Sequence, residues 1–91
     1  MEFLVRFKNK KVLNQVQKIP LLEQKKLVNL IEDLALTGPI QSKWNNFSQL
    51  GKNKYHCHLS YKWVACWKYI ESEENKIIEV YYAGSRENAP Y

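Results

Sequence analysis

The sequence predicts an α+β domain of order β-α-α-β-β-β, with two N-terminal helices packed on one face of a small antiparallel sheet. Three observations predict it. Apolar residues recur at helical spacing on both sides of Pro20, the stretch from Lys54 to Tyr82 alternates in the manner of strands, and turn residues rather than linkers separate these segments. Two adjacent amphipathic helices cannot bury their stripes alone, so they pair or lie across a sheet, and the rest of the chain supplies one.

Glu2 to Phe7 reads as a first strand with apolar Phe3, Val5 and Phe7, short enough to be an edge. Asn9 suits the N-cap of a helix running to Ile19, in which Val12, Leu13, Val16 and Ile19 recur at helical spacing. Pro20 suits the first turn of a second helix, whose stripe is Leu27, Leu30, Ile31 and Leu34, while Gln24, Lys25, Asn29, Glu32 and Asp33 face water. Gly38 and Pro39 end it. Ile40 to Asn53 is polar and irregular and reads as the one long loop, with Trp44 and Phe47 as plugs against the core and Gly51 as a turn residue. Lys54 to Leu59 is a strand, Ser60-Tyr61-Lys62 a tight connection, Trp63 to Glu71 a second strand and Ser72 to Lys76 a hairpin turn. Ile77 to Tyr82 closes the meander.

With 91 residues and 45% hydrophobic content, residues 1–91 form a single domain with one compact core. The formal charge is +5, and Lys8, Lys10, Lys11, Lys18, Lys25 and Lys26 crowd the first third. Such a surface favours nucleic acid, the ribosome or an acidic protein, although lysine-rich solvated helices are common without any such role. Two cysteines are too few for a disulfide scaffold, and Phe3-Leu4-Val5 is too short an apolar run for a signal peptide or a membrane span. A cytoplasmic protein with no membrane partner is the expectation.

The chemistry concentrates in the final third. His56 and His58 stand two residues apart in an alternating segment, so both side chains emerge on one face and make a paired imidazole site. Arg86 and Tyr91 follow the last strand-like run, and these residue types can handle a phosphate and move protons. The combination points to RNA cleavage. Without a metal, such cleavage uses the neighbouring 2′-hydroxyl as nucleophile; a group must remove its proton, another must stabilise the crowded phosphate, and a third must protonate the leaving 5′-oxygen. Histidine suits both proton transfers, because its ordinary pKa of about 6.5 lies near working pH. Arg86 offers a planar fork of donors to the phosphate, and Tyr91 can orient the nucleophile, donate a proton or stack on a base. The roles of His56 and His58 as base, acid or phosphate ligand are interchangeable at this point. As exposed positions on a concave face, His58 and Arg86 are expected to do little packing.

Against this stand simpler readings, in which the histidines are ordinary strand residues, Arg86 pairs with Glu79 or Glu87, and Tyr91 is a frayed end. A zinc site is set aside, because alternation sends Cys57 to the face opposite His56 and His58. No metal or cofactor is expected, and Cys57 and Cys66 read as small apolar core residues. If Val64, Cys66, Val80 and Tyr82 fill the core, at least some of Trp63, Trp67, Tyr69 and Tyr81 fall opposite the helices. There they stack on RNA bases or form an apolar patch, covered by a partner or by the loop around Trp44 and Phe47. Lys52, Lys54 and Lys62 flank the same hairpin and, with Trp63, are the candidate RNA contacts.

The element order, the Leu50-Gly51-Lys52-Asn53-Lys54-Tyr55 approach to a strand, the hairpin through Trp67, and Val80-Tyr81-Tyr82-Ala83-Gly84-Ser85-Arg86 followed by Tyr91 together resemble the RelE/ParE superfamily of bacterial toxins. The resemblance spans nearly the whole chain. It implies a toxin of a type II toxin-antitoxin system, bound by a cognate antitoxin in a hetero-oligomer. In the RelE-like branch it implies a ribosome-dependent mRNA endoribonuclease that inhibits translation. In that branch the concave face of the sheet carries cationic or imidazole side chains from the first hairpin strand, an arginine after the last strand and a tyrosine near the C-terminus; His56, His58, Arg86 and Tyr91 fall at those places. The branch also often places a cation in the second hairpin strand, where this chain has Trp63 with Lys62 one residue away, and one residue changes face. The alternatives are a ParE-like toxin acting on DNA gyrase without catalysis, or an RNA- or ribosome-binding module. The basic helical face from Lys8 to Lys26 suits an acidic antitoxin segment.

Overall fold

The computed structural model describes residues 3–91; Glu2, the expected start of the first strand, lies outside them. The order is β1 (Leu4–Phe7), α1 (Lys10–Gln17), α2 (Leu21–Thr37), β2 (Ser48–Gly51), β3 (Lys54–His58), β4 (Trp63–Glu71) and β5 (Lys76–Ser85). The α+β class and the pair of helices ahead of the hairpins are as expected. The sheet differs in two ways. It has five strands in the order β1-β5-β4-β3-β2, because Ser48–Gly51 pairs antiparallel with β3, and it is mixed, because β1 pairs parallel with β5. A four-residue polar strand at an edge carries no apolar alternation, which is why the segment reads as loop.

Local chemistry sets the helices. Asn9 caps α1, its Oδ1 accepting from the Val12 N–H at 3.1 Å. Pro20 precedes α2, and Gly38 follows it at φ 95°, the left-handed region that favours glycine. A side chain at Gly38 would also meet the Phe3 ring, 2.8 Å from the position of a Cβ. The Phe3 N–H donates to the Ala35 carbonyl at 3.0 Å, tying the approach to β1 to the end of α2.

The core lies between helices and sheet, where Val12, Ile19, Leu27, Leu30 and Leu34 meet Tyr55, Cys57, Leu59, Ala65, Trp67, Ile78, Val80 and Ala83. This corrects the expected facing of β4. Trp67 is fully buried on the helix side, Trp63 and Tyr69 pack against the same core, and Val64 and Cys66 turn to the other face. The physical reason is that Val64, Ala65, Cys66 and Trp67 are all fully buried, so β4 is apolar on both faces and alternation cannot phase it. Of these aromatics the loop covers Trp67, with Phe47 stacking on Tyr55 and Trp67 at 5.8 and 6.0 Å between ring centroids, whereas Tyr69 meets Phe3 at 6.0 Å. Trp67 Nε1 donates to the Pro39 carbonyl at 3.0 Å, and Trp44 Nε1 donates to Asp33 Oδ2 at 2.9 Å, so neither indole is buried without a partner. Between β4 and β5 the register shifts as Cys66 pairs with Tyr82 and Trp67 with Val80, leaving Tyr81 as an extra residue that bends the sheet beside the histidine face.

Candidate functional site

The face of the sheet away from the helices is built by β3. Tyr55 and Cys57 point into the core, so His56 and His58 must project oppositely. Cross-strand pairing sets His56 against Cys66 on one side and Ser48 on the other, and His58 against Val64. The ring centroids of His56 and His58 lie 5.8 Å apart. Beyond β5, the C-terminal segment passes over this face and brings the Tyr91 ring to 4.4 Å from that of His56. Arg86 is positioned by its own backbone, whose N–H donates to the Lys62 carbonyl at 2.7 Å, and its guanidinium stands 4.7 Å from the centre of the Tyr61 ring.

The four expected site residues therefore come to one face. Arg86 is exposed as expected, but His58 is not: His56 is 7% and His58 9% exposed. Against His56 lie Tyr91, Ser48 and Cys66, and this crowding has an electrostatic consequence. Burial, and then the neighbouring His58, lower the pKa of His56, while a hydrogen bond with the Ser48 backbone pulls it partly back. Burial, and then Arg86, lower His58. Both imidazoles are thus held towards their neutral form, in which one ring nitrogen is free to accept a proton. Partial burial raises Tyr91, which keeps its hydroxyl protonated and able to donate.

Sequence reasoning missed Ser48, whose Oγ lies 3.0 Å from His56 Nδ1 and fixes the ring whichever atom donates. Its signal was hidden because β2 itself was not visible. It also passed over a lysine of the second hairpin strand. Lys68, opposite Lys54 in the β3–β4 pairing, faces the same way as the histidines. Trp63 packs on the helix-side core, with part of it lining a cleft of about 330 Å³ formed with Tyr61, Lys62, Ser85, Arg86 and Glu87. Lys52 and Lys62 are exposed in the β2–β3 and β3–β4 turns, and Lys54 is exposed at the start of β3 on the histidine face. Arg86 is on neither side of an ion pair with Glu79, which is bound instead by Arg6 at 3.0 Å and Lys68 at 3.8 Å.

Cys57 and Cys66 face opposite sides of the sheet, so they cannot be joined across the hairpin, and burial pushes both thiols up to about 12. They are packing residues rather than nucleophiles.

No family model matches the sequence, and no curated protein matches it. Solved structures do. RelE in the archaeal RelE–RelB complex from Pyrococcus horikoshii OT3 superposes at a TM-score of 0.72 with 15% identity, over 98% of this chain and 100% of that one. A mutant of the E. coli toxin RelE in the free state matches at 0.72 with 16% identity, over 98% and 88%. The fold is that of the RelE-like toxins. YoeB in the YoeB–YefM complex from Staphylococcus aureus is a third match, at 0.66 with 10% identity over 92% and 97%. At these identities the likeness establishes the RelE-like arrangement of helices and sheet, and the chemistry rests on the residues themselves. Among the described residues, no helix is long and apolar enough to cross a membrane.

Proposed function

We propose that this chain is the toxin of a toxin–antitoxin pair and cleaves mRNA on the ribosome, thereby stopping translation in the cytoplasm. The observation that carries the reading is the convergence of His56, His58, Tyr91 and Arg86 on the face of a RelE-like sheet away from its helices.

A neutral imidazole from the pair removes the proton of the ribose 2′-hydroxyl, and the resulting oxygen attacks the adjacent phosphorus. The bond from phosphorus to the 5′-oxygen breaks, leaving a 2′,3′-cyclic phosphate on one fragment and a 5′-hydroxyl on the other. The proton for that leaving oxygen comes from the second imidazole or from the Tyr91 hydroxyl. An arriving phosphate supplies negative charge that raises the imidazole pKa values again, so one member of the pair takes up a proton when substrate binds. Arg86, braced by Tyr61 and by its backbone bond to Lys62, meets the charge that grows on the phosphate oxygens. Lys52, Lys54 and Lys62 hold neighbouring backbone, and Trp63 contributes from the cleft beside Arg86.

The partner is an antitoxin with an acidic, amphipathic segment. Leu21, Leu22, Val28 and Leu36 are exposed on α2 beside exposed Lys25, a surface that such a segment would cover with both apolar contact and charge. Cleavage is tested by incubating the purified protein with ribosomes translating a defined message and identifying the fragment ends. Cuts bearing 5′-hydroxyl ends support the reading; 5′-phosphate ends contradict the mechanism, and an intact message contradicts the activity.

A further inference from the structure

A second set of charges shares the histidine face, and of its members only Lys54 has a role above, as a general backbone contact. Four residues lie in register across four strands: Arg6 of β1 beside Glu79 of β5, Glu79 beside Lys68 of β4, and Lys68 beside Lys54 of β3. Partners in a ladder share a face, and Lys54 shares one with His56 and His58, so the whole row does. The next row along the strands is His56 and Cys66, two residues away, which is about 7 Å on a strand. That matches the spacing of successive phosphates along a single strand of RNA.

The row carries three cations and one carboxylate. Glu79 is nearly buried, its side chain 9% exposed, and it pairs with Arg6 at 3.0 Å and Lys68 at 3.8 Å, while those two side chains stay 50% and 37% exposed. Neutralising Glu79 needs one cation, and Arg6 already supplies it at the shorter distance. Lys54 has no carboxylate partner among the described residues and stands directly opposite Lys68. Like charges directly opposed across strands are unfavourable, and an anion bridging them removes that cost. Glu79 holds Lys68 extended over the sheet, reducing the freedom that it would lose on capturing an anion.

We propose that Lys54 and Lys68, the latter positioned by Glu79 whose charge Arg6 neutralises, form a second phosphate subsite, which holds the RNA backbone phosphate next to the one at the histidines. This rests on RNA being the substrate, and it adds a register: the chain binds at least two consecutive phosphates, the scissile one at His56, His58 and Arg86 and its neighbour at the cation row. Recognition there is by charge and is independent of sequence.

The test uses fluorescently labelled, fully 2′-O-methylated oligoribonucleotides, which cannot be cut, of two and three nucleotides and so with one and two backbone phosphates. In the unmodified protein the longer probe is expected to bind more tightly, with a logarithmic salt dependence steeper by about 0.7. In Lys54→Ala and Lys68→Ala, which both leave Glu79 paired with Arg6, the two lengths are expected to bind alike. Equal binding of the two lengths by the unmodified protein, or a length increment that survives in both variants, overturns the subsite, as does failure of either probe to bind. Thermal unfolding of each variant, unchanged within a few degrees, shows that loss of the increment is not loss of the fold. A length increment lost in both variants, in a protein that cuts no message on translating ribosomes, keeps the subsite and removes the nuclease reading; cleavage there with the increment intact in both variants does the reverse.

Discussion

In the proposed mechanism His58 and Arg86 are the side chains on which the chemistry turns, and each has a distinct signature. His58→Ala removes a proton-transfer group and is expected to lower cleavage about 10²- to 10⁴-fold, measured as the single-turnover rate on ribosome-bound message. Arg86→Ala removes charge stabilisation and should cost a comparable factor, with Arg86→Lys recovering only part of it because an ammonium lacks the planar fork. The histidines also set a pH dependence. Both pKa values are lowered in the folded chain, so the unfolded chain binds more protons as pH falls through 6.5, and stability is full above that value and declines below it. Thermal unfolding should therefore occur at a lower temperature at pH 5.5 than at pH 7.5, and His56→Gln with His58→Gln should flatten that difference. The acid limb of kcat/KM for cleavage on the ribosome, which reports the protein before substrate binds, should likewise fall below 6.5; a limb above it would contradict the burial described here. That His56 and His58 share a face was legible in strand alternation, while Arg86 and Tyr91 were singled out by residue type and by the resemblance. The burial of the two histidines was not legible, because it depends on a C-terminal segment folding back to set Tyr91 on His56, a contact between residues 35 positions apart in the chain.

At the level of elements, the strongest determinant is β4, the central strand, whose Trp67 is fully buried among Phe47 and Tyr55. Trp67→Ala is expected to destabilise the protein by about 3–5 kcal/mol, measured by denaturant unfolding, because it leaves a large cavity and strips the Pro39 carbonyl of its donor. Gly38→Ala should also destabilise, through its positive φ and the Phe3 ring behind it. The two helices were readable because each has one apolar stripe and a marked start: Asn9 before α1, Pro20 before α2, and Gly38 after it. Strand β3 was readable because alternation separates Tyr55 and Cys57 from His56 and His58. The facing of β4 was not, since both of its faces are buried at Val64 to Trp67, and a bulge at Tyr81 shifts the register of its neighbour. Strand β2 is polar and four residues long, so only its partner reveals it, and with it Ser48 at His56.

Across the whole molecule, the sheet divides the work. Its helix side is closed by Leu27, Leu30 and Leu34, and its other side gathers imidazole, guanidinium and ammonium groups around a small buried layer of Val64 and Cys66. The sheet is mixed because β1 enters parallel to β5, a pairing that no local pattern announces, since it joins residues more than 70 positions apart. That pairing is also what carries Arg6 to the histidine face. The α+β class, the helix pair and the hairpins followed from periodicity and turns, whereas the completed face followed only from the long-range pairing of strands. Fold alone is compatible with more than one activity, so the decisive evidence lies in RNA rather than in further structure. The most direct measurement is to induce this chain in a growing bacterium and map the 5′-ends of cellular RNA, beside the His58→Ala variant. The account predicts new ends within translated messages, in frame with their codons, that disappear in the variant; intact messages accompanied by DNA damage would contradict it.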